Sequence, residues 1–389
     1  MNRFITVFLN SFLVLFCAGL ISLPAVSQCT LPSVPNPATV DSTFDGYVTQ
    51  NGPGWTGGDG SRSVVLPDGT NLWMWSDSYI GTVNPTTRMR KSDLFTAHNS
   101  LTILNQATGS WTTVGYPPQT TSYFVPTNKK DWFWVGNSIV VQTSPGVYQI
   151  KTFLSQWDSA LQQQGESLAT LSWPSLSILS IQSIALPDQT ITWGEKILQI
   201  GNQWYIYGTK QQGASKTPYV ARTTSINYFT QPSHWQYWNA TQKKWLAGQQ
   251  NATAMSGVAG ITPEYSVDQM QWSGGTFYLM TGMDNLTPPY PLWDRVITYY
   301  SCNPQGPWSD YTIVYTAPEA GANGCKVGTL VTYNAKAHTE FTDSTGILVS
   351  YNVNANNSSD LVCANDYMPR FVRMTIPGVT DNLDVGARH

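Results

Sequence analysis

The sequence is dominated by short runs of β-branched and aromatic residues, separated by clusters of glycine, proline, asparagine and aspartate. Runs of this length with turn residues on both sides are typical of β-strands. The clearest predicted strands span residues 100–104, 132–135, 138–142, 196–200, 204–207, 276–280, 296–300, 312–315 and 347–351. A turn or two of helix is expected only within residues 154–164. Such a long series of short strands predicts an all-β sandwich, barrel or propeller.

Internal repetition favours the propeller among these three folds. The run that opens at Asn99 (NSLTIL) is echoed by the one that opens at Asn137 (NSIVVQ). Later in the chain, an apolar run, a glycine turn and an aromatic strand recur in IGNQWYIYG at 200–208 and in WSGGTFYLMTG at 272–282. A repeat of roughly 40 to 70 residues is typical of propeller blades. We therefore predict an all-β, five-bladed β-propeller.

The N-terminal residues indicate export. Residues 1–27 have a basic residue, a mostly apolar run and small residues before Ser27, which are the features of a signal peptide. Residues 28–43 are rich in proline, serine and threonine and are interpreted as an extended lead-in, and 44–389 as a single propeller domain. The expected location is secreted or periplasmic.

Four cysteines remain after the predicted cleavage: Cys29, Cys302, Cys325 and Cys363. Their spacing, with no CxxC pair and no nearby pair of histidines, favours structural disulfides over a zinc site. Four cysteines allow three pairings, and the spacing does not choose among them.

The charge balance limits the partners. Only 11% of residues are charged and the formal net charge is −3. Nucleic acids and anionic membranes are bound by basic patches, so neither is an expected partner. No organic cofactor and no bound metal are predicted, although a structural ion in the central channel is compatible with the sequence. We expect a monomer.

One hairpin places two acids together. Residues 61–66 and 71–76 flank a Pro67-Asp68-Gly69 turn, whose chemistry fits a three-residue loop with glycine in the left-handed conformation. Extending the register outward from this turn places Asp59 directly opposite Asp77, on one face of the ribbon.

Like charges at opposed positions destabilise a strand pair, so a function for the two acids is a natural explanation. Glycosidic hydrolysis uses two carboxyl groups at this range, one protonated and one ionised. The alternative is that Asp59 only closes a glycine-rich turn and Asp77 only caps a strand. A slip of one residue in the register would also separate the two acids.

Several motifs resemble a known group of proteins. They are GWTGGDGSRSVVLPDGTNLWMWSDSYIG with FTAHNSLTI, then GNSIVVQ, SLATLSWPSLSI, CNPQGPWSDYTIVYTAPE, YNAKAHTEFTDSTGILVSYNVN and YMPRFVRM. Together they resemble bacterial five-bladed propeller families long catalogued as domains of unknown function. One branch of these families contains endo-acting D-arabinanases. The resemblance covers nearly the whole mature chain.

This resemblance implies a site as well as a fold. The essential acids of the arabinanase branch map onto Asp59 and Asp77, the pair that the hairpin register had already reached. Glu195 and Glu264 each precede an apolar strand, as the acid does in related sugar-cleaving propellers, so either is an alternative proton donor. Which aspartate is the acid and which the base is left open at this stage.

Other polar residues are candidates for holding sugar hydroxyls in the channel. They are Asn99, Asn137, His338, Glu340 and Asn352. The alternative for each is a hydrogen bond to backbone between blades. His98 is interpreted as structural, and Arg370 as a residue that closes the propeller against the N-terminal strand.

The sequence therefore predicts a secreted glycoside hydrolase that acts on an extracellular polysaccharide, of the arabinan type by resemblance. The alternative is a propeller that binds carbohydrate without cleaving it.

Overall fold

The computed structural model describes residues 29–117, 121–212, 215–284 and 293–379. The predicted signal peptide at 1–27 lies outside these residues. The described chain is nearly all β, with twenty-four strands and the single short α-helix α1 at Ser42–Val48. Asp41 caps this helix by accepting hydrogen bonds from the Thr43 and Phe44 N–H groups. The all-β prediction is confirmed.

The second to eighth strands of the chain form two linked sheets, and the first strand is the edge strand of a third sheet. These strands are β1 (Thr39–Val40), β2 (Gly54–Gly58), β3 (Arg62–Val65), β4 (Asn71–Trp75), β5 (Ser78–Gly81), β6 (Phe95–Ala97), β7 (Ser100–Asn105) and β8 (Ser110–Thr113). One sheet has the order β2-β5-β6 and the other β3-β4-β7-β8. The same hairpin supplies both sheets, because β2 continues into β3 and β4 into β5.

The next eight strands belong to two further sheets. They are β9 (Trp132–Ser144), β10 (Val147–Trp157), β11 (Gln163–Ser172), β12 (Ile178–Ile184), β13 (Thr192–Ile200), β14 (Gln203–Gln212), β15 (Ser215–Thr223) and β16 (Gln236–Asn239). The first four make a sheet of order β12-β11-β10-β9. The other four are joined by β17 (Lys244–Ala247) in a sheet of order β13-β14-β15-β16-β17.

The remaining strands build two sheets of four. They are β18 (Ser266–Trp272), β19 (Gly275–Met283), β20 (Arg295–Ser301), β21 (Thr312–Thr316), β22 (Leu330–Asp343), β23 (Gly346–Ala355) and β24 (Met368–Met374). The orders are β18-β19-β20-β21 and β1-β24-β23-β22, so the N-terminal strand completes the last sheet.

The leading strands of five sheets contact one another in sequence. Strand β3 contacts β9, β9 contacts β13, β13 contacts β18, β18 contacts β22, and β22 contacts β3. Six sheets are present where five blades were predicted, so the sheet count does not confirm the five-bladed architecture. The additional sheet is the β2-β5-β6 extension of the first hairpin.

The two ends of the chain are joined by pairing and by an ion pair. Thr39 and Val40 pair with β24, and Arg373 binds Asp41 at 2.6 Å. The prediction that Arg370 makes this closure was wrong, since Arg370 instead binds Glu319 at 3.2 Å. Residues 370 and 373 point to opposite faces of one strand because side chains alternate along it.

Two disulfides decide among the three pairings that the sequence allowed. Cys29 is bonded to Cys302, which ties the N-terminal segment to the end of β20. Cys325 is bonded to Cys363. Within the described residues no helix is long and apolar enough to cross a membrane.

The predicted helical turn at residues 154–164 was wrong. Strand β10 runs to Trp157 and β11 starts at Gln163. Asp158 closes the connection by accepting hydrogen bonds from the Ala160 and Gln162 N–H groups. An aspartate that bonds backbone groups two and four residues ahead stabilises a turn rather than a helix.

Tryptophans fill the core beneath the first hairpin. Trp55, Trp73 and Trp75 are almost completely buried. Trp75 stacks on Trp55 with ring centroids 4.5 Å apart and on Trp73 at 5.5 Å. Because a buried tryptophan removes a large apolar area from water, this stack fixes the hairpin that carries the candidate acids.

Candidate active site

The hairpin has the register that its turn chemistry predicted. Ser63 is paired with Trp73, and Gly69 has a φ of 82°. Toward the open end, the Asp59 N–H donates to the Asp77 carbonyl at 3.1 Å. The two aspartates therefore lie across from each other where the first hairpin passes from one sheet to the next.

Asp59 is partly buried, and its side chain has few hydrogen-bond donors. The Tyr333 hydroxyl donates to Oδ2 at 2.8 Å, whereas Oδ1 is buried without a hydrogen-bond partner among the described residues. Burial, followed by the charges of Asp77 and Glu264, raises the pKa of Asp59 to about 8. Asp59 therefore keeps its proton at neutral pH.

Asp77 has a different environment, although it is adjacent. Its side chain is 44% exposed. Its Oδ1 atom lies 2.8 Å from His98 Nδ1 and accepts a hydrogen bond from Trp134 Nε1 at 3.1 Å. His98 was interpreted from the sequence as structural, but it contacts a candidate acid directly.

Glu195 and Glu264 lie near the pair but are held by cations. Arg62 on β3 binds Glu195 at 2.7 Å and Glu264 at 3.2 Å, and Lys336 on β22 binds Glu264 at 2.6 Å. Burial raises the pKa of Glu195 to about 6, against the opposing effect of Arg62. Burial also lowers the pKa of Lys336. These four residues form what we call the axial ion cluster.

Irregular backbone aims these side chains into the centre. The β13–β14 register shifts between Trp193 and Lys196, at the position of Glu195, with Gly194 at a φ of 93°. The β22–β23 register shifts after Tyr333, where Asn334 has a φ of 56°. Bulges redirect side chains next to functional sites, and here both bulges lie beside the acids.

A cavity of about 760 Å³ reaches Asp59 and the two glutamates, whereas Asp77 and Lys336 do not line it. Asp59, Glu195 and Glu264 line it together with Arg62 and Tyr333. Four tryptophans contribute to its walls: Trp134, Trp157, Trp193 and Trp293. Acidic groups at the base and indoles on the walls are suited to a neutral, hydroxyl-rich ligand with apolar faces.

His338 and Glu340 do not line this cavity. They border a separate void of about 20 Å³ near the ring axis. Ser63 Oγ lies 2.6 Å from His338 Nδ1 and donates to Glu340, while His338 Nε2 lies 2.8 Å from Ser350 Oγ. A void of this size holds about one water molecule and no sugar ring.

The three asparagines of the predicted substrate-binding set contact the protein itself. Asn99 donates to two backbone carbonyls and accepts from a backbone N–H. Asn137 accepts from the Ile197 N–H at 3.0 Å, which links β9 to β13. Asn352 donates to Ser61 Oγ at 3.1 Å. All three are buried, and none lines the large cavity.

The small axial void does not fit a metal cation. Arg62, Lys196 and Lys336 all border it, and their positive charges oppose a cation at its centre. Elsewhere in the described chain, Cys325, Cys363 and Asp366 lie close together. Their two sulfur atoms are joined as a disulfide, so no thiolate is present to bind a metal.

The comparisons with known proteins agree with this architecture. A "putative hydrolase" from Bacteroides ovatus ATCC 8483 has a TM-score of 0.70 at 18% identity, over 90% of this chain and 97% of that one. At this identity the likeness shows a shared fold. A "putative glycoside hydrolase" from Parabacteroides distasonis ATCC 8503 scores 0.47 at 11% identity, over 90% of this chain and 97% of that one. An exo-β-1,3-galactanase from Phanerochaete chrysosporium scores 0.47 at 12%, over 86% and 63%.

The two matches with TM-scores of 0.47 are distant. None of the curated proteins matches this chain. A family model matches residues 41–376, and the chain therefore belongs to that family, described as a domain of unknown function, DUF5005.

Sequence reasoning missed the basic partners and the donors to Asp77. Arg62 opens the short strand β3, and Lys336 lies between two alanines in β22; a charged residue at a buried strand position is a signal of a polar interior. His98 and Trp134 carry no comparable signal. Their role depends on contacts with a residue more than twenty positions away.

Proposed function

We propose that this protein is a secreted glycoside hydrolase with a five-bladed propeller fold, in which the β2-β5-β6 sheet is an extension of the first blade. The observation that carries the proposal is the pair of unlike carboxyl groups on one hairpin. Asp59 is partly buried and keeps its proton at neutral pH, whereas Asp77 is half-exposed and is contacted by His98 Nδ1 and Trp134 Nε1. Glycosidic hydrolysis needs this difference between two neighbouring acids.

The environments support an assignment of roles. Asp59 has the proton that the leaving oxygen of a glycosidic bond must receive, so it acts as the general acid. Asp77 lies beside Asp59 with its side chain 44% exposed and one oxygen held by hydrogen bonding, and it acts as base or nucleophile. Asp59 is ionised after it gives its proton to the leaving oxygen. The attacking water supplies the proton that returns Asp59 to its neutral form.

Glu195 and Glu264 are less suited to donating the proton. Arg62 occupies an oxygen of each of them, and Lys336 holds Glu264 in addition. Paired cations stabilise the ionised form of a carboxyl group and so oppose a role as acid. Glu264 contributes negative charge close to Asp59, which raises the pKa of Asp59.

The substrate is proposed to be a polysaccharide, and by resemblance one of the arabinan type. The cavity of about 760 Å³ has room for sugar rings, and its tryptophan walls offer apolar surfaces for them. The two disulfides accord with an exported protein that meets such a polymer outside the cytoplasm. We propose that the protein acts as a monomer without an organic cofactor.

A reducing-end assay tests the proposal. Purified mature protein is incubated with a panel of polysaccharides that includes D- and L-arabinans, beside Asp77→Asn and Glu264→Gln. We expect oligosaccharide release by the wild type and none by Asp77→Asn. Asp59→Asn is assayed in parallel. Loss of activity in Glu264→Gln, together with full activity in Asp59→Asn, would assign the role of general acid to Glu264 in place of Asp59.

The same cavity could bind a sugar without cleaving it, since indole walls are common to both functions. Saturable binding of a glycan by wild type and Asp77→Asn, with no new reducing ends after long incubation, would establish that alternative. It would overturn the proposal of hydrolysis.

A further inference from the structure

We infer that His98 is a positioning residue, which together with Trp134 fixes one oxygen of Asp77 and so sets the direction of the other. This inference rests on the proposed function of the same site. It concerns a residue whose side chain does not line the cavity and which the hairpin itself does not supply.

The two donors converge on a single atom. His98 Nδ1 lies 2.8 Å from Asp77 Oδ1, and Trp134 Nε1 lies 3.1 Å from the same oxygen. Within the described part of the chain, neither of these hydrogen bonds reaches Oδ2. A carboxylate bound at one oxygen by two N–H groups cannot rotate freely, so Oδ2 keeps a fixed direction.

The imidazole is itself held in place. The His98 backbone N–H donates to Ser122 Oγ at 2.8 Å. The ring stacks on Trp132, with centroids 4.5 Å apart and an interplanar angle of 17°. Trp132 and Trp134 are two residues apart on β9, so their side chains lie on the same face of the strand. One strand therefore supports the His98 ring and supplies the second donor to Asp77.

This arrangement has a chemical consequence. A base or nucleophile reacts well only when its oxygen is aligned with the reacting atom, and small displacements lower the rate strongly. An Asp77 carboxyl group with one donor removed retains its charge but samples other orientations. The expected loss is in kcat rather than in KM, because His98 does not border the cavity that binds substrate.

Two substitutions separate the hydrogen bond from the stacking. His98→Phe keeps a ring on Trp132 and removes the Nδ1 donor. His98→Asn removes the ring and retains a donor N–H near the position of Nδ1. The His98 side chain is 49% exposed, so both variants should fold, which a thermal melt checks.

We expect His98→Phe to lower kcat by about 10- to 100-fold with little change in KM, as for the loss of a hydrogen bond to a charged group. His98→Asn should stay within about threefold of the wild type, since it keeps the donor. Equal losses in both variants, or a larger loss in His98→Asn, would assign His98 to packing and overturn the inference.

A second readout does not depend on activity. Imidazole ¹⁵N shifts of His98, recorded above the pH at which the ring titrates, should show the proton on Nδ1 in the wild type. In Asp77→Ala this preference should be lost. A proton on Nε2 in the wild type would overturn the inference whether or not the protein hydrolyses a glycan. No hydrolysis with an Nδ1 proton would overturn the proposed function and, with it, the effect on kcat, but not the hydrogen bond.

Discussion

The two groups of carboxylates in the centre of this protein have opposite environments. Asp59 and Asp77 belong to the first hairpin, and no lysine or arginine of the described chain forms a salt bridge with either of them. Glu195, Glu264 and Asp268 lie on the neighbouring strands or just before them, and a basic group binds each one.

The acids without a cationic partner are suited to proton transfer, and the acids with one are suited to stabilising the fold. A buried acid without a cation keeps its proton to high pH, as Asp59 does, and is then able to donate it. An acid beside Arg or Lys is held in an ion pair, which cross-links the segments that carry the two partners. The axial ion cluster joins β3 to β13 and to the segment before β18 through ion pairs. The hairpin acids are linked to β22 and β9 by hydrogen bonds from Tyr333 and Trp134.

Neutralising either hairpin acid should have the largest effect on activity and little on stability. Asp59→Asn and Asp77→Asn should each lower kcat by about 10²- to 10⁴-fold, the usual contribution of a general acid or base. Their melting temperatures should equal or exceed that of the wild type, because the folded variants no longer have to hold a proton on Asp59 beside a second acid. Steady-state kinetics and calorimetry on the same preparations check both statements. Unfolded variants would indicate that the acids only cap the turn and the strand.

Removing the central arginine should have the reverse effect. Arg62→Met leaves Glu195 and Glu264 buried without their shared partner, and it also removes hydrogen bonds to the Val135 and Glu195 carbonyls. We expect the free energy of unfolding to fall by about 3–5 kcal/mol. Denaturant titration measures this loss. Arg222→Met is a suitable control, because Arg222 has no carboxylate partner among the described residues and contacts Gln236 and the Trp245 ring near the surface. It should change stability by about 1 kcal/mol or less. Equal stability of the two variants would contradict the structural role of the cluster.

The second buried ion pair allows a double-mutant cycle. Lys196 binds Asp268 at 2.6 Å, between β13 and β18. Lys196→Met and Asp268→Asn should each destabilise the protein, and the double variant should be more stable than the sum of the two predicts. The coupling energy should be about 0.5–3 kcal/mol. Strict additivity would show that the pair does not connect the two strands energetically.

The raised pKa of Asp59 predicts a pH dependence of stability. The folded protein keeps this proton up to about pH 8, while the unfolded chain releases it near 3.8. Between these values the folded state binds more protons, so this group lowers the free energy of unfolding as the pH rises, by at most about 1.4 kcal/mol per pH unit. Asp59→Asn lacks the titrating group. The difference between its free energy of unfolding and that of the wild type should therefore grow, in favour of the variant, from pH 4 to pH 8. A constant difference across this range would mean that Asp59 is ionised in the folded protein. Activity should also decrease above about pH 8, as the acid loses its proton.

The hairpin was predictable because its information is local. Turn residues at 67–69 set the register, and the register places Asp59 across from Asp77 some ten residues from the turn. The strands were predictable for the same reason. The helix expected at 154–164 failed because the hydrogen bonds of Asp158 determine that segment, and the apolar pattern does not show them.

The contacts of the site could not be predicted in this way. Arg62 meets Glu195 133 positions later, and Tyr333 meets Asp59 across 274 positions. His338, Glu340 and Asn137 lie on the inner strands β22 and β9, and all three border the small void. Asn352 on β23 and Asn99 just before β7 are not on inner strands, and they bond other groups of the protein. Which inner residue reaches the cavity depends on the bulges in β13 and β22, and a bulge moves a side chain to the other face of its strand.

The sequence by itself determined an all-β chain, the hairpin and the proximity of its two acids, because alternation and turn chemistry act over a few residues. The tertiary structure decided which acids are paired with cations, which one keeps its proton, and which donors orient Asp77. Those properties depend on burial and on charges that the closed ring of strands brings together from distant parts of the chain.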